Sequence, residues 1–101
     1  MKRNMDLVRA ILFKLEENPH GFINQPLEIG RYSREEIEYH SALMHNAGLI
    51  QGIDMTHLQS GSPDYLPHCL TWQGHEFLNA CRHESIWVKV KEKIRTIGED
   101  V

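Results

Sequence analysis

The residues best suited to chemistry are seven histidines and two cysteines, several of which cluster late in the chain. Zinc sites use paired ligands, typically two cysteines or two histidines a few residues apart. The histidines and cysteines between His68 and His83 match none of these spacings, and no Cys-x-x-Cys is present. We therefore predict no metal site. His75 and His83 are interpreted as half-buried or capping residues at the two ends of a helix.

Other catalytic patterns are missing from the sequence as well. Glu16-Glu17 and Glu35-Glu36 are adjacent pairs, whose side chains diverge on a helix instead of converging on a substrate. There is no glycine-rich phosphate loop, nucleophile elbow or Cys/His nucleophile pattern. His40 lies on the apolar face of a predicted helix and is interpreted as a hydrogen-bonded core histidine. We predict that the protein is not an enzyme and needs no cofactor.

Size and composition indicate one globular domain spanning 1–101. The chain has 101 residues, of which 41% are hydrophobic and 25% charged. The apolar stretch from Leu7 to Phe13 is short and contains Arg9, so we predict neither a signal peptide nor a membrane span. Cys69 and Cys81 are then expected to be reduced thiols. These features favour a cytoplasmic protein that does not bind membranes.

Charge is distributed unevenly along the chain. The net charge is −3, but residues 1–14 carry four bases and one acid, whereas residues 15–76 carry nine acids against Arg31 and Arg34. Residues 77–101 carry five bases and four acids. The two ends are therefore basic, and the middle is acidic.

Helical periodicity and capping residues predict the first half of the fold. Asn4 is expected to cap a helix that ends at Asn18-Pro19 and buries the apolar stripe Met5, Val8, Ile11, Leu12 and Leu15. Leu27-Glu28-Ile29 is predicted as a short strand. Ser33 and Glu36 form a capping box that opens a second helix, over about 33–47. Its buried residues are predicted to be Ile37, His40, Leu43, Met44 and Ala47, and Gly48 ends it.

The second half is predicted to be a β-hairpin followed by helices. Strands at Leu49-Ile50 and Ile53 and at His68-Cys69-Leu70 flank a polar loop, so the hairpin spans about 49–70. Thr71 is expected to cap the next helix. The C-terminal helices cover about 71–97, and the last of them places an apolar stripe at Trp87, Val90, Ile94 and Ile97.

Two local motifs resemble winged-helix regulators. Leu43-Met44 followed by Ala47-Gly48-Leu49-Ile50 is similar to the end of a recognition helix entering the first wing strand. Leu70-Thr71-Trp72-Gln73-Gly74 resembles the Leu-Thr-x-x-Gly that closes the wing in MarR- and PadR-like proteins. The resemblance implies an α+β, mostly helical winged helix with a small hairpin wing and additional C-terminal helices. It departs from the pattern before Ser33, where the supporting helix of a helix-turn-helix looks reduced or absent.

Nearly the whole chain, from Met1-Lys2-Arg3 through Thr71–Leu78 to Trp87, also resembles a bacterial and prophage family known as a domain of unknown function. This second resemblance supports the fold and implies a phage or mobile-element context. It implies no mechanism.

Two functions from different classes follow from these features. The first is protein binding or self-association through the stripe of Trp87, Val90, Ile94 and Ile97. This stripe either pairs with a second copy or packs on the first helix of its own chain. In the second case, Trp87→Ala costs folding stability and not association.

The second function is a DNA-binding regulator. Three acids on the recognition-type helix, and a loop from Asp54 to Pro67 without Lys or Arg, disfavour the usual docking mode. DNA contacts would then rest mainly on the basic ends, with candidates Lys2, Arg3, Arg34, Tyr39, Lys89, Lys91 and Lys93.

Overall fold

The protein is α+β, with four helices and one two-stranded antiparallel sheet among the residues described by this computed structural model. The structure describes residues 1–57 and 61–99, with side chains in the last helix as far as residue 94. The elements in chain order are α1 (Met5–Glu17), α2 (Arg34–Asn46), β1 (Ile50–Asp54), β2 (Tyr65–Leu70), α3 (Trp72–Ala80) and α4 (Glu84–Glu99).

Helix α1 forms the centre of the core. The side chain of Asn4 accepts hydrogen bonds from the backbone N–H groups of Asp6 and Leu7, which confirms the predicted cap. One face of the helix is fully covered by the rest of the chain and comprises Leu7, Val8, Ile11, Leu12 and Leu15. Met5, predicted as the first residue of this stripe, is only partly buried.

Helix α2 begins and ends where the sequence predicts. Ser33 Oγ accepts from Glu36 N at 3.1 Å and Glu36 Oε1 accepts from Ser33 N at 3.1 Å, so both halves of the capping box are present. Gly48, at φ +78°, takes the left-handed position beyond its end. The buried residues are Ile37, His40, Ser41 and Met44.

Two predictions for the buried face of α2 are wrong. Leu43 is half-buried and Ala47 is exposed, whereas Ser41 is fully buried. A serine is tolerated there because its hydroxyl donates to the carbonyl of Ile37 at 2.7 Å, one turn back.

The predicted strand at Leu27-Glu28-Ile29 is also wrong. Residues 18–33 contain neither strand nor helix, and Ile29 fills the core from an irregular segment. This segment contacts the sheet at Ile23, before the predicted strand, where Ile23 N–H donates to the carbonyl of His68 at 2.9 Å. The supporting helix of a helix-turn-helix is therefore absent from this segment, as the sequence indicated.

The hairpin is antiparallel, with Ile50 opposite Leu70 and Asp54 opposite Tyr65. Strand β2 begins at Tyr65, three residues earlier than predicted, and therefore includes Pro67. A two-stranded sheet consists of edges only, so a residue without an N–H is accommodated. The register shifts between Gln51 and Gly52, where a side chain at position 52 would collide with the carbonyl of Leu66.

The last two helices are separate elements that join the body differently. Thr71 Oγ1 accepts from Gly74 N–H at 3.0 Å and donates to the carbonyl of Gly48 at 2.6 Å, which fixes α3 to the end of α2. In contrast, α4 is joined to α1 by side-chain contacts, which include Lys91 to Asp6 and Glu84 to Arg9. Helix α4 is held mainly by Trp87, which is buried against the start of α1. The order helix, hairpin, helix matches the resemblance without by itself establishing a winged helix.

Candidate functional site

An open cleft of about 1160 Å³ lies between the N-terminal segment, α2 and α4. We call it the α2–α4 cleft. Its apolar lining consists of Met1, Met5, Tyr39, Leu43, Val88 and Ile94. Its charged lining consists of Lys2, Arg3, Asp6, Glu36, Lys91 and Glu92. The cleft therefore contains both kinds of predicted site residue: Ile94 for protein binding, and Lys2, Arg3, Tyr39 and Lys91 for DNA binding.

His40 joins the N-terminal segment to α2 and so shapes the cleft. Its Nε2 accepts from the backbone N–H of Asn4 at 2.8 Å, which requires the proton to be on Nδ1. That Nδ1–H donates to the carbonyl of Glu36 at 2.8 Å. The ring is 1% exposed, so both nitrogens are committed inside the protein. His40 is the hydrogen-bonded core histidine that the sequence predicted.

Trp87 and its neighbours anchor α4 to α1 beside the cleft. The Trp87 side chain is 1% exposed, and its indole N–H donates to Asp6 Oδ1 at 2.9 Å. Lys91 Nζ donates to the same oxygen at 2.9 Å. The Arg9 guanidinium lies 5.3 Å from the Trp87 ring centroid and also binds Glu84 at 2.7 Å. Trp87 therefore packs on the first helix of its own chain and is not free to contact a partner.

The Asp6 carboxylate makes the α4 anchor sensitive to acid. Hydrogen bonds from Trp87, and then from Lys91, lower the pKa of Asp6 below its ordinary value of 3.8. Its contribution to stability is thus complete above the unfolded-state pKa and is lost as the pH falls through the lower folded-state pKa. We expect Asp6→Asn to be less stable than the wild type at about pH 7, with the difference shrinking toward about pH 3. Urea unfolding at each pH measures this difference.

A matched control is Glu35→Gln, which removes one exposed negative charge from α2 without touching the anchor. A constant difference between Asp6→Asn and the wild type over the whole pH range would contradict the role of the ionised carboxylate.

Two of the three bases that line the cleft form no ion pair among the described residues. Lys2 and Arg3 are exposed, and within the described part of the chain no carboxylate forms an ion pair with either. The nearby acids are engaged: Asp6 binds Trp87 and Lys91, and Glu36 binds the Ser33 backbone. Glu92 also has an interaction of its own. The charged lining of the cleft as a whole is balanced, with three bases and three acids.

The other predicted site residues lie apart from the cleft. Arg34 is exposed and forms an ion pair with Glu38 at 3.5 Å, one turn along α2. Lys89 and Lys93 are exposed on α4 and do not line the cleft. Val90 is half-buried outside the cleft, whereas Ile94 lines it. The side chain of Ile97 lies outside the described residues.

Sequence reasoning missed several residues of the cleft, among them the apolar side chains of Val88, Leu43 and Met5. Val88 lies off the apolar stripe of α4 and is 49% exposed, so periodicity gives it no role. Leu43 and Met5 were assigned to the core because their spacing fits the buried faces of α2 and α1. In the structure both side chains are only partly buried, and both line the cleft.

The described residues contain neither a candidate metal site nor a candidate membrane span. Within the described residues, no group of three or more His, Cys, Asp or Glu side chains is placed to hold a metal ion. Cys69 and Cys81 are both free. Burial raises the pKa of the Cys81 thiol and so disfavours the reactive thiolate, and the thiol also donates to the carbonyl of Phe77. Among the helices described, none has the length and apolar character needed to span a bilayer.

Comparison with known proteins assigns a family but no activity. Residues 2–100 match the profile of the family described as "Hypothetical protein (DUF2513)". A protein of Haemophilus influenzae described as "Uncharacterized protein" is 37% identical over 109 residues, and the alignment covers 100% of this chain and 85% of that protein. No solved structure matches the chain.

Proposed function

This chain belongs to the DUF2513 family of hypothetical proteins, and we propose that it is a non-catalytic protein-binding module of winged-helix type. Its binding site is the α2–α4 cleft, which receives a segment of a partner protein. The family resemblance favours a partner from a phage or mobile-element context. Protein binding was also the first function that the sequence suggested. The proposed binding site is the cleft beside Trp87 and not the Trp87 side chain itself.

The cleft is the single observation that supports this proposal. Helices α2 and α4 contribute the apolar side chains of Leu43 and Val88 to the cleft, and Met5 and Tyr39 also line it. A 101-residue chain has little apolar surface to spare after its core is built. Apolar side chains left in a concave, charge-rimmed surface are typical of an interaction site.

The dimensions favour a protein segment over a small molecule. Small-molecule pockets measure about 300–1,000 Å³ and enclose most of their ligand. The α2–α4 cleft, at about 1160 Å³, exceeds that range and is open to solvent. A partner that contributes its own surface would complete the enclosure. A second copy of this chain is one such partner, which keeps self-association within the same proposal.

Site-specific photocrosslinking in the native host tests the proposal. A benzophenone amino acid at position 88 is expected to form a protein adduct, and an additional Leu43→Asp change in the opposite wall should abolish it. The matched control places the same group at position 93, which is exposed on α4 but outside the cleft. A second copy would be identified by an adduct of twice the chain mass. An equally strong adduct at position 93, or none at position 88, would contradict the proposal.

DNA binding is the second candidate, favoured by the cations on and beside α4. Lys2, Arg3 and Lys91 meet at the cleft, and Lys89 and Lys93 are exposed on the same helix as Lys91. This hypothesis predicts binding to mixed-sequence duplex that weakens steeply as salt rises. It also predicts that neutralising Lys89, Lys91 and Lys93 reduces binding more than Arg34→Ala. A fluorescence titration at low and near-physiological salt distinguishes the two candidates.

A further inference from the structure

We propose that the hydrogen bond from the backbone N–H of Asn4 to His40 Nε2, which we call the latch, is a pH-sensitive switch. The neutral ring of His40 holds the N-terminal segment, residues 1–4, against α2, and the protonated ring releases it. The latch concerns the conformation of the chain, so it goes beyond the proposed function and holds whether or not the α2–α4 cleft receives a partner.

The latch completes the N-cap of α1. The side chain of Asn4 accepts from the N–H groups of Asp6 and Leu7, whereas the N–H of Asn4 itself donates to His40 Nε2 at 2.8 Å. In a capping box, the residue three positions after the cap, usually Glu or Gln, accepts from that N–H. In α1 this position is Leu7, which is apolar and fully buried. His40, 36 positions beyond Asn4, therefore takes the place of the missing local acceptor.

Only the neutral ring of His40 can close the latch. Its Nε2 accepts through a lone pair, while its Nδ1–H donates to the carbonyl of Glu36 at 2.8 Å. A proton added to Nε2 turns this acceptor into a donor directed at the N–H of Asn4. Turning the ring over does not help, because both nitrogens are donors in the imidazolium form. The ring is 1% exposed, and burying a charge without a partner is costly, so protonation and the closed latch exclude each other.

The charged groups around His40 are balanced in sign. Tyr39 meets the His40 ring edge-on, with 5.6 Å between the ring centroids. The other charged or titratable residues that line the cleft with His40 are Met1 with its amino group, Lys2, Arg3 and Asp6 from the start of the chain, Glu36 from α2, and Lys91 and Glu92 from α4. Three basic and three acidic side chains give this lining no net negative charge that would favour an imidazolium.

Histidine is the group that changes charge in mild acid, between about pH 7 and about pH 5. Carboxyl groups ordinarily titrate near about pH 4, amino termini near about pH 8, and lysine and tyrosine near about pH 10. The pKa of Asp6 is lowered from its ordinary value of 3.8 by hydrogen bonds from Trp87 and Lys91, so the α4 anchor keeps its charge over this interval. Mild acid should therefore open the latch without disturbing the anchor.

Release of the N-terminal segment would alter the α2–α4 cleft on one side. All four residues of the segment, Met1 to Asn4, line the cleft. Opening the latch would withdraw two of the three bases, Lys2 and Arg3, while the parts of the lining on α2 and α4 stay in place. The shape and the charge of the cleft would both depend on pH.

Amide hydrogen exchange, measured by NMR on the full chain, tests the latch. A proton taken up only by the open state raises the ratio of open to closed molecules as the pH falls. We expect the protection factor of the Asn4 N–H to fall at least about tenfold between about pH 7 and about pH 5. The Gly74 N–H is the internal control, because it donates to Thr71 Oγ1 at another helix N-cap, where the acceptor does not titrate. Equal loss of protection at Asn4 and Gly74 would indicate global unfolding and contradict a local latch.

His40→Gln separates titration from hydrogen bonding. The glutamine carbonyl can accept from the Asn4 N–H but does not titrate, so the protection of Asn4 should no longer depend on pH in this interval. His75→Gln, which removes an exposed histidine of α3, should behave as the wild type does. A pH dependence that persists unchanged in His40→Gln would contradict the latch.

The imidazole ¹⁵N signals of wild-type His40 give a second test that needs no substitution. Nε2 should gain its proton over the same pH interval in which Asn4 loses protection. A ring that becomes protonated while Asn4 stays protected, or protection of Asn4 that is unchanged down to about pH 5, would overturn the proposal. Neither test requires a partner protein, so failure of the latch and failure of the proposed function are distinguishable.

Discussion

Trp87→Ala is expected to lower the free energy of unfolding by about 3–5 kcal/mol, the range observed when large aromatic residues are truncated in protein cores. The Trp87 side chain is 1% exposed and donates a hydrogen bond to Asp6. Its removal leaves a cavity between α1 and α4 and deprives Arg9 of the aromatic ring beside it. Small domains are stable by only about 5–15 kcal/mol, so the variant should be close to unfolding. Guanidinium unfolding followed by circular dichroism measures the loss.

The chain contains its own control for this experiment. Trp72, at the start of α3, is 77% exposed, so Trp72→Ala should change stability by no more than about 0.5 kcal/mol. Trp87→Phe retains most of the ring but not the indole N–H, and should fall between the two. If Trp87→Ala cost no more than Trp72→Ala, α4 would not be anchored as described. The cleft would then lose one wall.

Gly74→Ala is expected to destabilise the protein by about 3 kcal/mol, the upper end of the range for overpacking. A methyl group at position 74 would collide with the backbone carbonyl of Leu49. That carbonyl also accepts from Thr71 N–H at 3.0 Å, so moving it breaks the junction between the hairpin and α3. A backbone atom cannot rotate away as a side chain can, which is why a single methyl should have a large effect. Thermal unfolding gives the loss as a shift in Tm.

Gly61→Ala is the matched control, because a methyl group there meets nothing within 4 Å. We expect its Tm to stay close to that of the wild type. A Gly74→Ala protein with wild-type stability would show that α3 packs less closely on the end of α2 than the structure indicates.

The helix ends could be predicted from sequence because their causes are local. Asn4, Ser33 and Thr71 each cap a helix by binding backbone groups no more than three residues away. Gly48 ends α2 because its backbone adopts a left-handed conformation. The Leu-Thr-x-x-Gly resemblance also marked Gly74 correctly as part of a junction, although its contact with Leu49 was not visible from the motif.

Predictions that depended on neighbours distant in sequence fared less well. Leu27-Glu28-Ile29 has the composition of a strand, but residues 18–33 meet the sheet near Ile23 instead. Pro67 was predicted to lie at the end of the loop, yet it lies within β2. In both cases strand formation depends on which backbone groups a distant segment offers, and propensity contains no such information.

The sequence by itself determined the order and capping of the helices, the hairpin and the uneven distribution of charge. Only the tertiary structure decided that Trp87 is buried and that a cleft lies beside it. The contacts responsible join Asn4 to His40 over 36 positions, Asp6 to Trp87 over 81 and Asp6 to Lys91 over 85. Caps and periodicity arise from neighbours along the chain, whereas a cleft arises from the spacing between separate elements. That spacing is set by packing of the whole core.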